Sequence, residues 1–299
     1  MIANNEMRSR INHNPEGYNH TPMSLMSRSL KRVVNIELFC PTDFKTGDPL
    51  LLMFDGQDCK ALDIQGMLDK LDITHGFRRP TVVAIHAGQR MQEYGVAGVP
   101  DCRGRGARAA DHAWFVVNEL LPWLHSSCDI ASDARCRYLI GCSLGGLTAF
   151  DLVWNYPEHF AGVAALSASF WWRSRDLEQG YTDQDRIVHR MVRMGMQRKG
   201  LKFWFQAGTR DETSDRNHNG IIDSIDDTLD LVTELLKKGY HRVTDVVYHE
   251  VKGGKHDLPT WKKVLPVAVL WLLQSGVDEN HLHAIHSELP KNFKKHSIQ

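Results

Sequence analysis

The chain has 299 residues, 42% of them hydrophobic, and its 36 lysines and arginines balance 36 aspartates and glutamates. That composition suits a packed globular core and excludes a chain disordered throughout. Zero formal charge provides no general field to attract nucleic acid or an anionic membrane, and the basic clusters at 28–32 and 291–295 read as solvated flanks. No run of about 18 apolar residues occurs, and the polar first residues lack the apolar stretch of a secretory signal, so a soluble cytoplasmic protein is expected. The six cysteines (Cys40, Cys59, Cys102, Cys128, Cys136 and Cys142) are scattered without a CxxC spacing, as for reduced thiols and not a disulfide framework or a thiolate zinc site.

Residues 1–28, rich in Asn, Ser, Arg and Met, read as a loose leader, and a single domain is expected over 29–276. Segment 32–40 (RVVNIELFC) is β-branched and partly alternating and is ended by Pro41, which suits a first strand at a sheet edge. Short continuous apolar runs follow at 50–54 (LLLMF), 81–86 (TVVAIH), 137–140 (RYLI), 162–166 (GVAAL), 202–206 (KFWFQ) and 243–249 (VTDVVYH), as for strands covered on both faces. Between them, 109–124, 144–154, 226–236 and 261–273 repeat apolar residues at three and four, the helical spacing. Strands alternating with helices predict one α/β domain with a mostly parallel sheet and helices on both faces. A segment at 173–200 rich in Asp, Gln, Arg and Met reads as a cap-like insertion, and 277–299 as a polar tail.

Gly141-Cys142-Ser143-Leu144-Gly145-Gly146 falls between the run RYLI and the helix LTAFDLVW, so the order is strand, GxSxG, helix. A serine at the tip of so tight a turn sits in strained backbone, and glycines two residues either side avoid collisions there. Ser143 is thus the candidate nucleophile, with the Leu144 N–H at the helix start placed to bind an oxyanion. Cys142, one residue earlier, is expected to turn into the core as a packing thiol.

The chain resembles the enterochelin esterase-like branch of the esterase D family of α/β hydrolases. The resemblance rests on LLMFDGQD (51–58), Arg90 with Glu93 and Tyr94, ELLPW (119–123), GCSLGGLTAF, YPEHF (156–160), SASFWW (167–172), GTRD (208–211) and GKHD (254–257), in the family's order over roughly 30–275. It implies an α/β-hydrolase fold and a serine hydrolase acting on carboxylic esters, with siderophore catecholate trilactones as the family's substrates.

A serine needs a base within reach, oriented by a carboxylate, and in this fold class the order along the chain is Ser, acid, His. Of the 16 histidines, His256 follows the last core strand and Gly253-Gly254, where the resemblance also points; His249 lies inside a strand, and His281, His283 and His286 lie in the tail. Asp211 stands in GTRD after the run KFWFQ, at the position where the resemblance places the family's acid, with Glu212 as the alternative. The second oxyanion donor is expected from Gly56 or Gln57, with Asp55 bracing that turn.

Residues 215–226 place oxygen side chains at positions 1, 3, 5, 9 and 12 of an EF-hand-like loop (Asp215, Asn217, Asn219, Asp223, Asp226), with Gly220 at the turn and the Ile221 carbonyl at position 7. The pattern resembles dockerin loops and predicts a structural calcium beside the acid. Seven carboxylates between 211 and 230 face only Arg210 and Arg216, an excess a divalent cation would neutralise. No organic cofactor is expected. Arg90, Tyr94, Trp171 and Trp172 are the candidate substrate contacts, with Arg90 alternatively pairing with Glu93. The alternatives in view are a carbohydrate or feruloyl esterase, an acyltransferase, and a non-catalytic, calcium-stabilised binding protein on a hydrolase scaffold.

Overall fold

The computed structural model describes residues 17–71, 78–128, 130 and 133–273. The expected polar tail, with His281, His283 and His286, lies outside the described residues. Eight strands form one sheet in the order β1-β2-β4-β3-β5-β6-β7-β8. They are β1 (Tyr18–Ser27), β2 (Arg32–Pro41), β3 (Leu50–Phe54), β4 (Thr81–Ile85), β5 (Arg137–Cys142), β6 (Gly162–Leu166), β7 (Lys202–Arg210) and β8 (Val246–Lys255). From β4 to β8 every neighbouring pair is parallel, whereas β2 is antiparallel to both β4 and β1. The central strands β3, β4, β5 and β6 are buried at every position, as continuous apolar runs require.

One expectation fails at the sheet edge. Residues 18–27 are a strand that pairs with β2 at all ten positions, so β1 and not β2 is the edge. Its side chains alternate between more and less buried along YNHTPMSLMS, but Met, Ser, Thr and His carry too little contrast for the period of two to stand out. Pro22 is tolerated because an edge strand has one side free of ladder partners.

Helices cover both faces. On one side lie α1 (Cys59–Leu62), α2 (Ile64–Lys70) and α8 (Leu258–Leu273), packed on Leu51, Met53, Ile140 and Trp204. On the other lie α4 (109–128), α5 (Leu144–Asn155), α6 (Ile187–Met194) and α7 (Asp223–Lys237), packed on Leu52, Phe54, Leu139 and Phe205, while α3 (Arg90–Glu93) is a single turn after β4. Pro122 cannot donate to the carbonyl one turn back, and α4 widens into a π-helical stretch at Phe115–Leu120 immediately before it. Of the cap-like segment, α6 is part of the core: Val188 and Val192 are fully buried with Leu139 and Phe205, and Arg186 anchors the helix start to α7. All six cysteines are free thiols, and Cys142 is buried with Met53 and Ile140 under α8, as expected. Among the described residues no helix is long and apolar enough to cross a membrane.

Candidate active site

Asp55, His86, Ser143, Asp211 and His256 each stand one residue beyond the carboxyl end of β3, β4, β5, β7 and β8. Parallel strands bring those ends to one rim, the place where ligands bind in open α/β sheets.

Ser143 has φ 56° and ψ −123°, a conformation an L-residue holds only when its surroundings over-determine it. The Ser143 N–H donates to the Leu166 carbonyl (2.9 Å), and its own carbonyl accepts from Leu147 and Ser169 N–H (each 3.1 Å). A Cβ on Gly141 would lie 2.2 Å from the Gly145 carbonyl, and one on Gly145 2.9 Å from Asp55 Oδ2. The glycines of the motif are therefore required by contact. Leu144 opens α5 and Gln57 lies in the 3₁₀ turn Gly56–Asp58; first-turn amides have no partner within their own helix, so both N–H groups are available at the rim. Gly56 is held against β4, where a Cβ would meet the Ala84 carbonyl at 2.6 Å.

His256 stands edge-on to Trp261, ring centroids 5.1 Å apart. Burial of one side holds its imidazole below the ordinary histidine range, with the Asp211 carboxylate opposing and the Arg90 guanidinium reinforcing that shift. Asp211 Oδ2 accepts the Gly208 N–H (2.9 Å), while Oδ1 is buried without a full hydrogen bond. Burial raises this carboxyl; the Gly208 N–H, the Ser167 hydroxyl and His256 pull it down. Glu212 has different neighbours, Ser224, Asp223 and Asp227 around α7, so of the two acids only Asp211 is coupled to His256.

The four expected substrate contacts separate into two groups. Arg90 is about one-third open and forms a bidentate pair with Asp55 (2.8 and 2.9 Å), not with Glu93, which pairs instead with Arg32 (2.6 Å). Trp171 is partly exposed, with the Arg105 guanidinium 4.7 Å above its ring. Tyr94 and Trp172 are corrections: both are fully buried and cannot touch a ligand. The Tyr94 hydroxyl accepts the Asp55 N–H (3.1 Å), and Trp172 Nε1 donates to the Val99 carbonyl (3.2 Å) in a slot where Cβ atoms on Gly95 or Gly106 would strike its ring. Apolar ring area outweighs the polar handles, and both rings sink into the core. His249 stacks on Trp204 within β8, as a structural histidine would. Beside the turn Gly56–Asp58, a cleft of about 360 Å³ is lined by Gly56, Gln57, Lys60, His20, Glu37 and His86, with Glu37 bridging His20 (2.6 Å) and His86 (2.9 Å).

In the loop 215–226, Asp215 accepts the N–H of Asn219 (3.1 Å) and Gly220 (2.9 Å), and Asp226 Oδ2 accepts the amides of Asn217 (2.9 Å) and Asn219 (2.7 Å). Asp223 is tied to the Arg216 guanidinium (3.1 Å), and Ile221 donates its N–H to Asn219 (2.8 Å). Buried Asp227 sits between Arg186 (2.8 Å) and Arg216 (2.7 Å), and Arg186 also reaches Asp230 (2.7 Å). Much of the acidic excess is thus neutralised by guanidinium groups. A divalent cation fits the donor set only in part, and among the described residues no three His, Cys, Asp or Glu side chains converge on a metal position.

An eight-stranded, mostly parallel sheet in this order, with a strained serine after β5, defines the α/β-hydrolase fold. The chain belongs to the Esterase family, whose model matches residues 27–272. The iron(III) enterobactin esterase of Escherichia coli K12 is 24% identical over 243 residues, 77% of this chain and 52% of that protein. The chain thus spans about half the length of that relative. The enterobactin esterase of Shigella flexneri superposes with a TM-score of 0.63 at 22% identity, covering 85% of this chain and 59% of that one. A ferulic acid esterase structure superposes with a TM-score of 0.65 at 15% identity, covering 86% and 98%.

Proposed function

We propose that the chain is a serine carboxylic-ester hydrolase using Ser143 as nucleophile, His256 as base and Asp211 as the acid that orients it. The observation that carries this reading is the placement of all three residues directly after parallel strands, with Asp211 alone of the two candidate acids coupled to His256. His256 takes the Ser143 proton, the alkoxide attacks the ester carbonyl, and the Leu144 and Gln57 N–H groups bind the oxyanion. Protonated His256 then gives its proton to the leaving alcohol, and water releases the acyl group in the reverse sequence. A siderophore-like polyester is the proposed substrate, supported by relatives named for enterobactin. Arg90 and Trp171 are the side chains left open to meet it. Ser143→Ala should abolish p-nitrophenyl ester turnover and fluorophosphonate labelling; retained labelling would remove Ser143 as nucleophile.

A structural calcium held by Asp215, Asn217, Asn219, Asp226 and the Ile221 carbonyl accompanies this reading as a proposal, supported by their register about Gly220 at φ 84°. The ion would stiffen the acid loop and take no part in the chemistry. Calorimetric titration with calcium chloride tests it; absence of binding removes the ion.

A further inference from the structure

Ser167 follows β6, between the strand that carries the nucleophile and the strand that carries the acid. It is buried and holds φ 42°, a left-handed conformation in which a serine is strained. Its backbone N–H donates to the Gln206 carbonyl (2.7 Å), while its flanks clasp Ser143, Leu166 accepting from Ser143 N–H and Ser169 donating to the Ser143 carbonyl. The Ser167 hydroxyl accepts from Trp261 Nε1 (3.0 Å), and Trp261 is the ring against which His256 rests. The hydroxyl also lies 3.3 Å from Gln206 Oε1.

Two buried atoms beside this hydroxyl have no hydrogen-bond partner: Gln206 Nε2, a donor, and Asp211 Oδ1, an acceptor. Buried orphans of this kind are costly, and the Ser167 hydroxyl contacts both parent groups. Turning the Gln206 amide by 180° places Nε2–H on Ser167 Oγ. The oxygen then accepts from Trp261 and Gln206, and its own proton is free for the carboxylate.

We infer that Ser167 donates its hydroxyl proton to Asp211 Oδ1 and is a positioning residue that sets the acid, and through Trp261 the base, relative to Ser143. The inference rests on the triad reading above. The groups facing Asp211 are His256 and Asp257 beyond β8 and Tyr248 on β8; those facing His256 are Asp211, Arg90 and Asp257. None of the other neighbours of Asp211 is a hydroxyl donor released by the amide turn.

Ser167→Gly tests this with little risk to folding, because glycine relaxes the strained φ. Loss of the O–H donor favours protonated Asp211, so the active combination of ionised Asp211 and neutral His256 should need a higher pH. The expected result is an acid limb of kcat/KM raised by roughly one pH unit, about tenfold lower activity on that limb, and little change in KM. In an Asp211→Asn background, Ser167→Gly should shift the acid limb no further, since the carboxylate that the hydroxyl acts on is gone. A wild-type limb in Ser167→Gly, with Asp211→Asn strongly impaired, overturns the inference and leaves the triad standing. Full activity of Asp211→Asn overturns the triad reading and this inference with it.

Discussion

The Ser143 turn and the Asp211 loop lie on the same rim and are held by opposite means. The turn at 141–146 is set by backbone: glycines that leave no room for a Cβ, a first-turn amide, and main-chain bonds from β6. The loop at 211–226 is set by side chains, with Asp227 clamped between Arg186 and Arg216 and Asp223 tied to Arg216. Local sterics tolerate no substitution, whereas a charge clamp can be weakened by degrees. The proposed mechanism would need the serine in one strained geometry, while the acid would only have to hold a carboxylate toward an imidazole.

The sharpest way to break this contrast is at the turn. Gly141→Ala must displace the Gly145 carbonyl, so esterase activity should fall by more than about a thousandfold, or the protein should fail to fold, as circular dichroism and turnover would report. At the loop, Asp227→Leu removes the buried carboxylate shared by Arg186 and Arg216 and leaves them only Asp230 and Asp223, so chemical denaturation should show a loss of about 3 kcal/mol. At the turn's brace, Tyr94→Phe leaves the buried Asp55 N–H without its acceptor and should cost about 1–3 kcal/mol.

Acid should act on both regions. His112, packed among Phe54, Tyr94 and Phe115 behind the turn, is pushed down by burial to about 4. His189, bonded to the Asp227 carbonyl behind the loop, is likewise pushed down by burial to about 3. Each folded value lies below the unfolded one, so stability present above the ordinary histidine value of 6.5 is lost as pH falls toward 4. The Tm should drop across that window, and less so in His112→Gln. Because His256 is also held down by burial, neutral base persists below pH 6.5, and the acid limb of kcat/KM should lie under that value while the fold survives. The smallest effect expected is that of calcium: with guanidinium groups already on Asp223 and Asp227, EGTA should lower Tm by only a few degrees.

The sequence alone carries the alternation of strand and helix, the GxSxG turn and the order of Ser143, Asp211 and His256, because those features are written in local periodicity, in glycine sterics and in position after an apolar run. It placed β3 and β6 to the residue, since strands buried on both faces are continuous apolar runs. It missed β1, whose alternation is carried by weakly apolar side chains against β2. Packing alone puts Asp211, and not Glu212, beside His256, buries Tyr94 and Trp172, and sets arginines inside the acidic loop. Ser167, Gln206 and Trp261 also carry no motif; their only local signal is a small polar residue ending a buried strand. Each of these outcomes depends on which side of a strand end a side chain leaves from, and on a partner such as Arg186 for Asp227, 41 residues away. Burial and ion pairing across such distances are properties of the packed sheet, and no window of sequence contains them.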